Sequence, residues 1–418
     1  EVWMFDCGEN TQYQFQRSAT TMSNMKRIFI THLHGDHFFG LPGLLSMVFV
    51  SKNAKLEKKG KGRLRGSGKK VKETAAIEIY GPRGLRAMLR AMSFYTASTF
   101  CPYVVHELHD IPHLHPNQSI RSSAAHRVMA DEFVPEFTNR HGGKKPTSNP
   151  LGRGEISQGN NFYPNEDGVY ELFNTDAFTV SAAPLSHTTY CVGYVVKEHG
   201  RPGRLNAEKV LPILSRNFDL LKEAGHRDPR NVLSSFKSME RDETYTFPNG
   251  ESVLIADVVG ADHPGRKIAV FGDCCDASDG MKKIANDCDV LVHEATDCES
   301  RGDSSTAYFR GHSNPEMAGK MAKEVNAKCV FLNHFGSRAS FPGLREYPKF
   351  ESRVKRKAAQ FSHLSEDDVY LSHDLQEVAI SAKHSDEKGT DEIVQVISHE
   401  LPHWQQKKFE AEFFEENK

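Results

Sequence analysis

An apolar run, Ile28-Phe29-Ile30, stops abruptly in Thr31-His32-Leu33-His34-Gly35-Asp36-His37, and nothing else in the 418 residues restricts the fold so tightly. Imidazoles two apart on an extended turn face one point, and the Asp-His pair that follows faces a neighbouring one, which is how one turn serves two cations. The bland alternative is a histidine-rich surface loop, but histidine is a poor choice where no proton or metal has to be managed. A pair of metals needs more donors than one turn offers, about four per ion with one position left to water. Three later residues stand where apolar runs end: His187 in Pro-Leu-Ser-His, Asp273 in Val-Phe-Gly-Asp and His334 in Phe-Leu-Asn-His. In α/β sheets, ligands gather beyond the carboxyl ends of strands, so these positions can meet the histidine turn on one edge.

The rest of the chain reads as an α/β protein, with strands at Val2–Phe5, Ile28–Ile30, Ile77–Gly81, Phe178–Ala182, Gly193–Val196, Lys267–Gly272 and Val290–His293 alternating with helices at Thr11–Arg17, Gly43–Val50 and Pro82–Ala91. We expect one catalytic domain over residues 1–380, interrupted by irregular insertions at about 51–75 and 106–176 and by a long polar segment at about 197–265, then a net acidic tail over 381–418. No stretch approaches the roughly 20 uninterrupted apolar residues of a membrane helix, which excludes a helical membrane protein. The formal net charge is −2, so a polyanion partner has to be held by a local basic patch. One candidate is Lys52 to Lys72, whose ten basic residues are opposed by Glu57 alone. The eight cysteines form no CxxC pair, which argues against a disulfide framework and fits a reducing intracellular compartment. Glu1, not Met, enters directly into an apolar run, so the expectation is a truncated chain, with any signal or transit peptide upstream and targeting not readable from these residues.

The set Phe5-Asp6-Cys7-Gly8-Glu9, Thr11-Gln12, Thr31-His32-Leu33-His34-Gly35-Asp36-His37, Gly40-Leu41-Pro42-Gly43, Gly272-Asp273, His293-Glu294-Ala295-Thr296, Gly311-His312-Ser313 and Asn333-His334-Phe335 resembles tRNase Z, the tRNA 3′-processing endoribonucleases of the metallo-β-lactamase superfamily. The resemblance implies an αβ/βα sandwich, here without its first strand, two zinc ions, and cleavage of precursor tRNA 3′ of the discriminator nucleotide to leave a 3′-hydroxyl. It implies His32, His34, His187 and Asp273 around one zinc, and Asp36, His37, Asp273 and His334 around the other, with Asp273 shared. It also implies roles for Glu294 and His312 outside the metal ligands. On chemical grounds Asp36 can orient the attacking oxygen, and His312, kept protonated by Glu294, suits the general acid that the leaving 3′ oxygen needs. Read as residues alone, Glu294 could instead be a helix-start carboxylate and His312 a loop hydrogen-bonder.

The chain departs from the family pattern at Asn10 (usually Gly), at Cys274 (usually Thr) and at Phe335-Gly336-Ser337-Arg338-Ala339, where a hydroxyl and an aromatic are displaced. Arg338 there can still pair with a phosphate. Short-form members carry a tRNA-gripping arm between the His187 and Asp273 positions. Phe218 to Met239 resembles its tip, which implies a homodimer in which one subunit's arm holds the tRNA cut by the other. Lys58, Lys59, Arg63 and Arg65 are further candidate phosphate contacts. A competing metal motif, His106-Glu107-Leu108-His109, fails on spacing, because its histidines stand three apart where a zincin helix sets them four apart, and Pro112 follows. Two rival functions stay open on sequence: an ester or thioester hydrolase on the same fold, and a non-catalytic RNA-binding relative.

Overall fold

The computed structural model describes residues 1–58, 76–96, 100–117, 151–260, 262, 264–298, 303–336, 347–381 and 394–396. The first sheet is parallel throughout: β1 (Val2–Phe5), β2 (Met25–Phe29), β3 (Ile77–Pro82), β4 (Tyr103–Leu108) and β5 (Glu155–Ser157) lie in that order, with β6 (Asn161–Phe162) also on β4. The second sheet opens with an antiparallel meander, β7 (Tyr170–Asn174), β8 (Phe178–Ser186) and β9 (Cys191–Glu198). The chain then leaves the sheet, forms the separate hairpin β10 (Thr244–Thr246) and β11 (Ser252–Leu254), and returns as β12 (Lys267–Val270). β13 (Asp276–Ala277) adds to β8, while β14 (Val290–Glu294), β15 (Val330–Asn333) and β16 (Val369–Leu371) extend the sheet in parallel beyond β12.

Alternation along the strands assigns the layers, because successive side chains point to opposite faces. Ile28 and Ile30 turn outward onto helix residues Leu41, Leu44, Leu45, Val48, Leu85 and Leu89, whereas Phe29 between them turns inward against Tyr80, Val192 and Tyr194. Phe29 stacks on Tyr80 with ring centroids 5.1 Å apart. On the far side, Leu291, Val330 and Leu332 pack on Met321, Ala322, Phe350 and Val354 from two helices, Pro315–Glu324 and Tyr347–Phe361. The order is helix, sheet, sheet, helix, and the carboxyl ends of the parallel strands share one rim.

Four expectations change. The second helix runs from Leu41 to Lys58, because Ala54, Leu56 and the flanking Lys and Glu residues are strong helix formers and Lys55 ties down to Ser23 and Asn24. The insertion read at 51–75 therefore starts as helix, and 59–75, with Lys59, Arg63 and Arg65, lies outside the described residues. The stretch read as irregular over 106–176 contains the end of β4 together with β5, β6 and β7. His106 and Glu107 obscured that strand, yet both are satisfied in it: His106 stacks on Tyr80, and Glu107 pairs with Arg86 and accepts from the amides of Gly84 and Arg86. The segment read as a tail from 381 supplies Val394–Val396, a strand pairing with Val378–Ile380 and burying Val394.

The segment after β9 builds its own core. A helix, Ala207–Glu223, places Val210, Leu214 and Leu221 against Val232, Phe236, Phe247, Val253 and Ile255. Its two ends meet at a bridge between Leu205 and Val259, and at its root Arg266 pairs with Glu198. Gly225, at φ 96°, closes the helix in the left-handed conformation that favours glycine.

Candidate metal centre

The register of β1 on β2 sets Phe5 opposite Phe29, so the residues that follow each strand emerge side by side. Asp6, at φ 57°, turns its carboxylate onto the histidine turn. It accepts from the Thr31 amide at 2.7 Å, the Thr31 hydroxyl at 2.8 Å and His37 Nδ1 at 2.7 Å. The two turns pack backbone against backbone: a Cβ on Gly8 would sit 1.8 Å from the carbonyl oxygen of Asp36. β8 ends by delivering His187, the stretch after β12 delivers Asp273, and β15 ends by delivering His334.

The outer nitrogens of four histidines are already engaged. Thr31 Oγ1 gives its proton to Asp6, so it accepts from His32 Nδ1 at 3.0 Å. Thr296 Oγ1 gives its proton to Glu294 and accepts from His334 Nδ1 at 2.9 Å. His187 Nδ1 donates to the carbonyl of Gly311 at 2.7 Å, and His37 Nδ1 donates to Asp6. With those protons assigned by the network, the Nε2 lone pairs turn inward. His34 Nδ1 lies 3.1 Å from His32 Nε2 and 3.2 Å from His187 Nε2, and His37 Nε2 lies 3.1 Å from His334 Nε2. Asp273 stands between the groups, with Oδ1 3.4 Å from His37 Nε2 and 3.5 Å from His334 Nε2, and Oδ2 3.9 Å from His32 Nε2. Asp36 Oδ2 lies 3.3 Å from His334 Nε2.

Acceptors crowded in this way repel one another unless positive charge sits among them. Nitrogen–zinc bonds of about 2.0–2.1 Å in a tetrahedron leave ligands about 3.4 Å apart, close to the spacing seen here. His32, His34, His187 and Asp273 form one group able to hold a cation, and Asp36, His37 and His334 form another. The donor set therefore fits a pair of metals of the nitrogen- and oxygen-binding kind. The same demand shows in the proton affinities. Burial disfavours charge on His37, yet hydrogen bonds to Asp273 and Asp6 outweigh it and lift the imidazole to about 10. Burial likewise opposes ionisation of Asp273, but His37, His334 and His32 hold its carboxyl well below the usual range. Burial pushes His187 down to about 4 and His32 well below its ordinary value.

Beside this cluster Glu294, 1% exposed, accepts from the Cys274 amide at 2.8 Å, from the amide and hydroxyl of Thr296, and from His312 Nδ1 at 2.9 Å. Burial opposes charge on His312, but its bond to Glu294 and the nearby Asp273 raise it above an ordinary histidine. His312 Nε2 has no hydrogen-bond partner among the described residues and is left to act on a ligand.

All nine residues expected at the centre thus meet. Lys58 is exposed at the end of its helix, and Lys59, Arg63, Arg65 and Arg338 lie outside the described residues. His106 and His109 join none of the metal-binding groups, which also include an overlapping one of Asp273, His312 and His334. Sequence reading gave no role to Asp6, Thr31, Thr296 or the Gly311 carbonyl, which fix the histidine rings. A carboxylate directly after a strand, in the turn before the strand that ends in the histidine turn, is the signal that could have found Asp6.

A family profile described as anti-Pycsar protein Apyc1 matches residues 1–59, the part that holds the histidine turn. Zinc phosphodiesterase ELAC protein 1 of Homo sapiens is 32% identical over 385 residues, covering 92% of this chain and 92% of its own length. Ribonuclease Z of Streptococcus sanguinis is 30% identical, covering 91% of this chain and 90% of its own. The crystal structure of human tRNase Z, short form, aligns at 25% identity with a TM-score of 0.49, covering 90% of this chain and 86% of that one. The matches to the human and streptococcal relatives run nearly end to end, and the sandwich and its rim are those the resemblance implied: the chain has the metallo-β-lactamase fold and belongs to the tRNase Z family of ribonucleases.

Proposed function

We propose that this chain is a zinc-dependent endoribonuclease that cuts precursor tRNA 3′ of the discriminator nucleotide, removes the 3′ trailer and leaves a 3′-hydroxyl. The observation that carries the reading is the convergence of His32, His34, Asp36, His37, His187, Asp273 and His334 from four separate points of the chain onto one rim, in a chain related over almost its whole length to named zinc phosphodiesterases. His32, His34, His187 and Asp273 would hold one zinc, and Asp36, His37, Asp273 and His334 a second, with Asp273 common to both. When bound, the ions supply Lewis acidity toward water and neutralise charge on the scissile phosphate.

The chain's own residues do the rest. Asp36, the most exposed of the set, accepts a hydrogen bond from the attacking water and aims it. His312 donates its Nε2 proton to the departing ribose 3′ oxygen, and Glu294 keeps that proton available by stabilising the imidazolium through Nδ1. Asp6 and the Gly311 carbonyl hold His37 and His187 in the tautomer that presents Nε2. The arm over 205–259 grips the tRNA body, and in a homodimer it does so for the site of the partner subunit.

The test is to incubate purified protein with a precursor tRNA carrying a 3′ trailer and to sequence the product ends, with an acyl thioester offered in parallel. A single cut after the discriminator, ending in a 3′-hydroxyl, is expected. Turnover of the thioester alone, or intact RNA, would overturn the assignment.

A further inference from the structure

Next to the metal centre, at the carboxyl ends of β3 and β4, lies a cavity of about 220 Å³ lined by Pro82, Arg83, Leu108, Asp110, Ile111, His113 and Tyr190. Neighbouring strands in a sheet stand about 4.8 Å apart. Since β3 is next to β2, which ends in the histidine turn, and β4 is next to β3, the cavity lies one to two strand spacings, about 5–10 Å, along the sheet from that strand. Its floor is apolar, with Leu108 and Ile111 buried. Its rim carries Arg83, Asp110 and two rings, His113 and Tyr190, whose centroids are 4.8 Å apart and whose Nε2 and hydroxyl are 2.8 Å apart. Drug-sized ligands occupy roughly 300–1,000 Å³, so this space suits a single ring system. Asp110 holds φ 56°, a left-handed conformation uncommon away from glycine, and its carboxylate has no hydrogen bond among the described residues, which leaves it to accept from a base edge.

Two ties fix the cavity on one side of the chemistry. Tyr190 follows His187 by three positions, and His187 donates to the carbonyl of Gly311, the neighbour of His312. The segment after β4 that forms the rim is bonded to the same place: His115 Nε2 donates to the carbonyl of Tyr308 at 2.7 Å, and Asn117 donates to that of Phe309 at 2.8 Å. The rings of His187 and His312 are 5.0 Å apart. The cavity is therefore on the His312 side, where on the proposed mechanism the leaving 3′ oxygen departs. None of these rim residues belongs to the metal-binding groups.

We infer that this cavity receives the base of the unpaired nucleotide whose 3′ oxygen leaves, stacked against Tyr190 and His113. The inference rests on the ribonuclease reading above and makes the site read one nucleotide upstream of the cut. Stacking on aromatic side chains tolerates any base, because every base has a π-face.

The experiment is a cycle of two changes, Tyr190→Ala in the enzyme and an abasic nucleotide at the position upstream of the cut in an otherwise normal precursor tRNA, read as kcat/KM. The abasic substrate should slow the unchanged enzyme by about 5- to 100-fold, the range of one lost base–aromatic stack. In Tyr190→Ala that penalty should fall to about 2-fold or less, while Tyr190→Phe, which retains the ring, should keep it. A penalty equally large in Tyr190→Ala would overturn the inference. So would a penalty that appears only when the abasic position is moved to the first trailer nucleotide. If the unchanged enzyme cuts no RNA at all, the ribonuclease reading falls, and this inference with it.

Discussion

The rim and the arm are built on opposite principles. At the rim, charged and polar groups are buried: Asp273 and His32 are at most 2% exposed, and each depends on neighbours brought in from distant segments. In the arm, the buried residues from Val210 to Val258 are local and, apart from Asn217, apolar, and its ion pairs, such as Arg216 with Glu251, are on the surface. A buried carboxylate left without partners costs several kcal/mol, so the rim is coupled to the whole sandwich and a single change disturbs it. The arm is joined to the sandwich through a narrow root at Leu205, Val259 and the Arg266–Glu198 pair. The two regions are therefore structurally separable, and on the proposed function substitutions in them should fail differently.

The largest difference should come from His312→Ala, which removes the proposed proton donor and leaves His32, His34, His187 and Asp273, and Asp36, His37 and His334, in place, although His312 itself forms an overlapping group with Asp273 and His334. A loss of about 10²- to 10⁴-fold in single-turnover cleavage is expected, with zinc content unchanged. Glu294→Gln gives a milder version with a distinctive pH signature. The acid must be protonated to work, so activity falls as pH rises through its pKa. Glu294 raises that pKa, and removing its charge should move the alkaline limb of the kcat profile to lower pH. An unmoved limb would show that His312 is not the acid.

Excising residues 206–258 and closing the Leu205–Val259 root with a short linker should leave hydrolysis of a small phosphodiester within about 2-fold. Cleavage of precursor tRNA should drop about 100-fold through KM, as expected when a second binding module is lost. Equal losses on both substrates would end the claim that the arm is energetically separate. Asp6→Asn should cost about 10- to 100-fold in zinc affinity, measured by competition with a chelator, because His37 loses the charged partner of its Nδ1 proton.

What could be read in advance follows the same division. The His32 to His37 turn and the strand-end positions of His187, Asp273 and His334 were visible because a buried strand interrupted by ligand residues leaves a sharp local signature. The supports of those ligands were not. Asp6 reaches His37 only because β1 and β2 pair in parallel, and the Gly311 carbonyl reaches His187 across 124 positions of the chain. The end of β4 was read as part of an insertion because its two polar residues, His106 and Glu107, are satisfied by Tyr80 and Arg86, partners that no linear pattern reveals. The helix to Lys58 was cut short because its basic residues were weighed as charge and not as helix formers.

The central claim is that two groups of donors sharing Asp273 hold two ions. It is tested most directly by counting zinc per chain, by native mass spectrometry, in the unchanged protein and in Asp273→Ala. The account predicts two ions in the former and fewer than one in the latter. One ion in the unchanged protein, or two retained without Asp273, would contradict it.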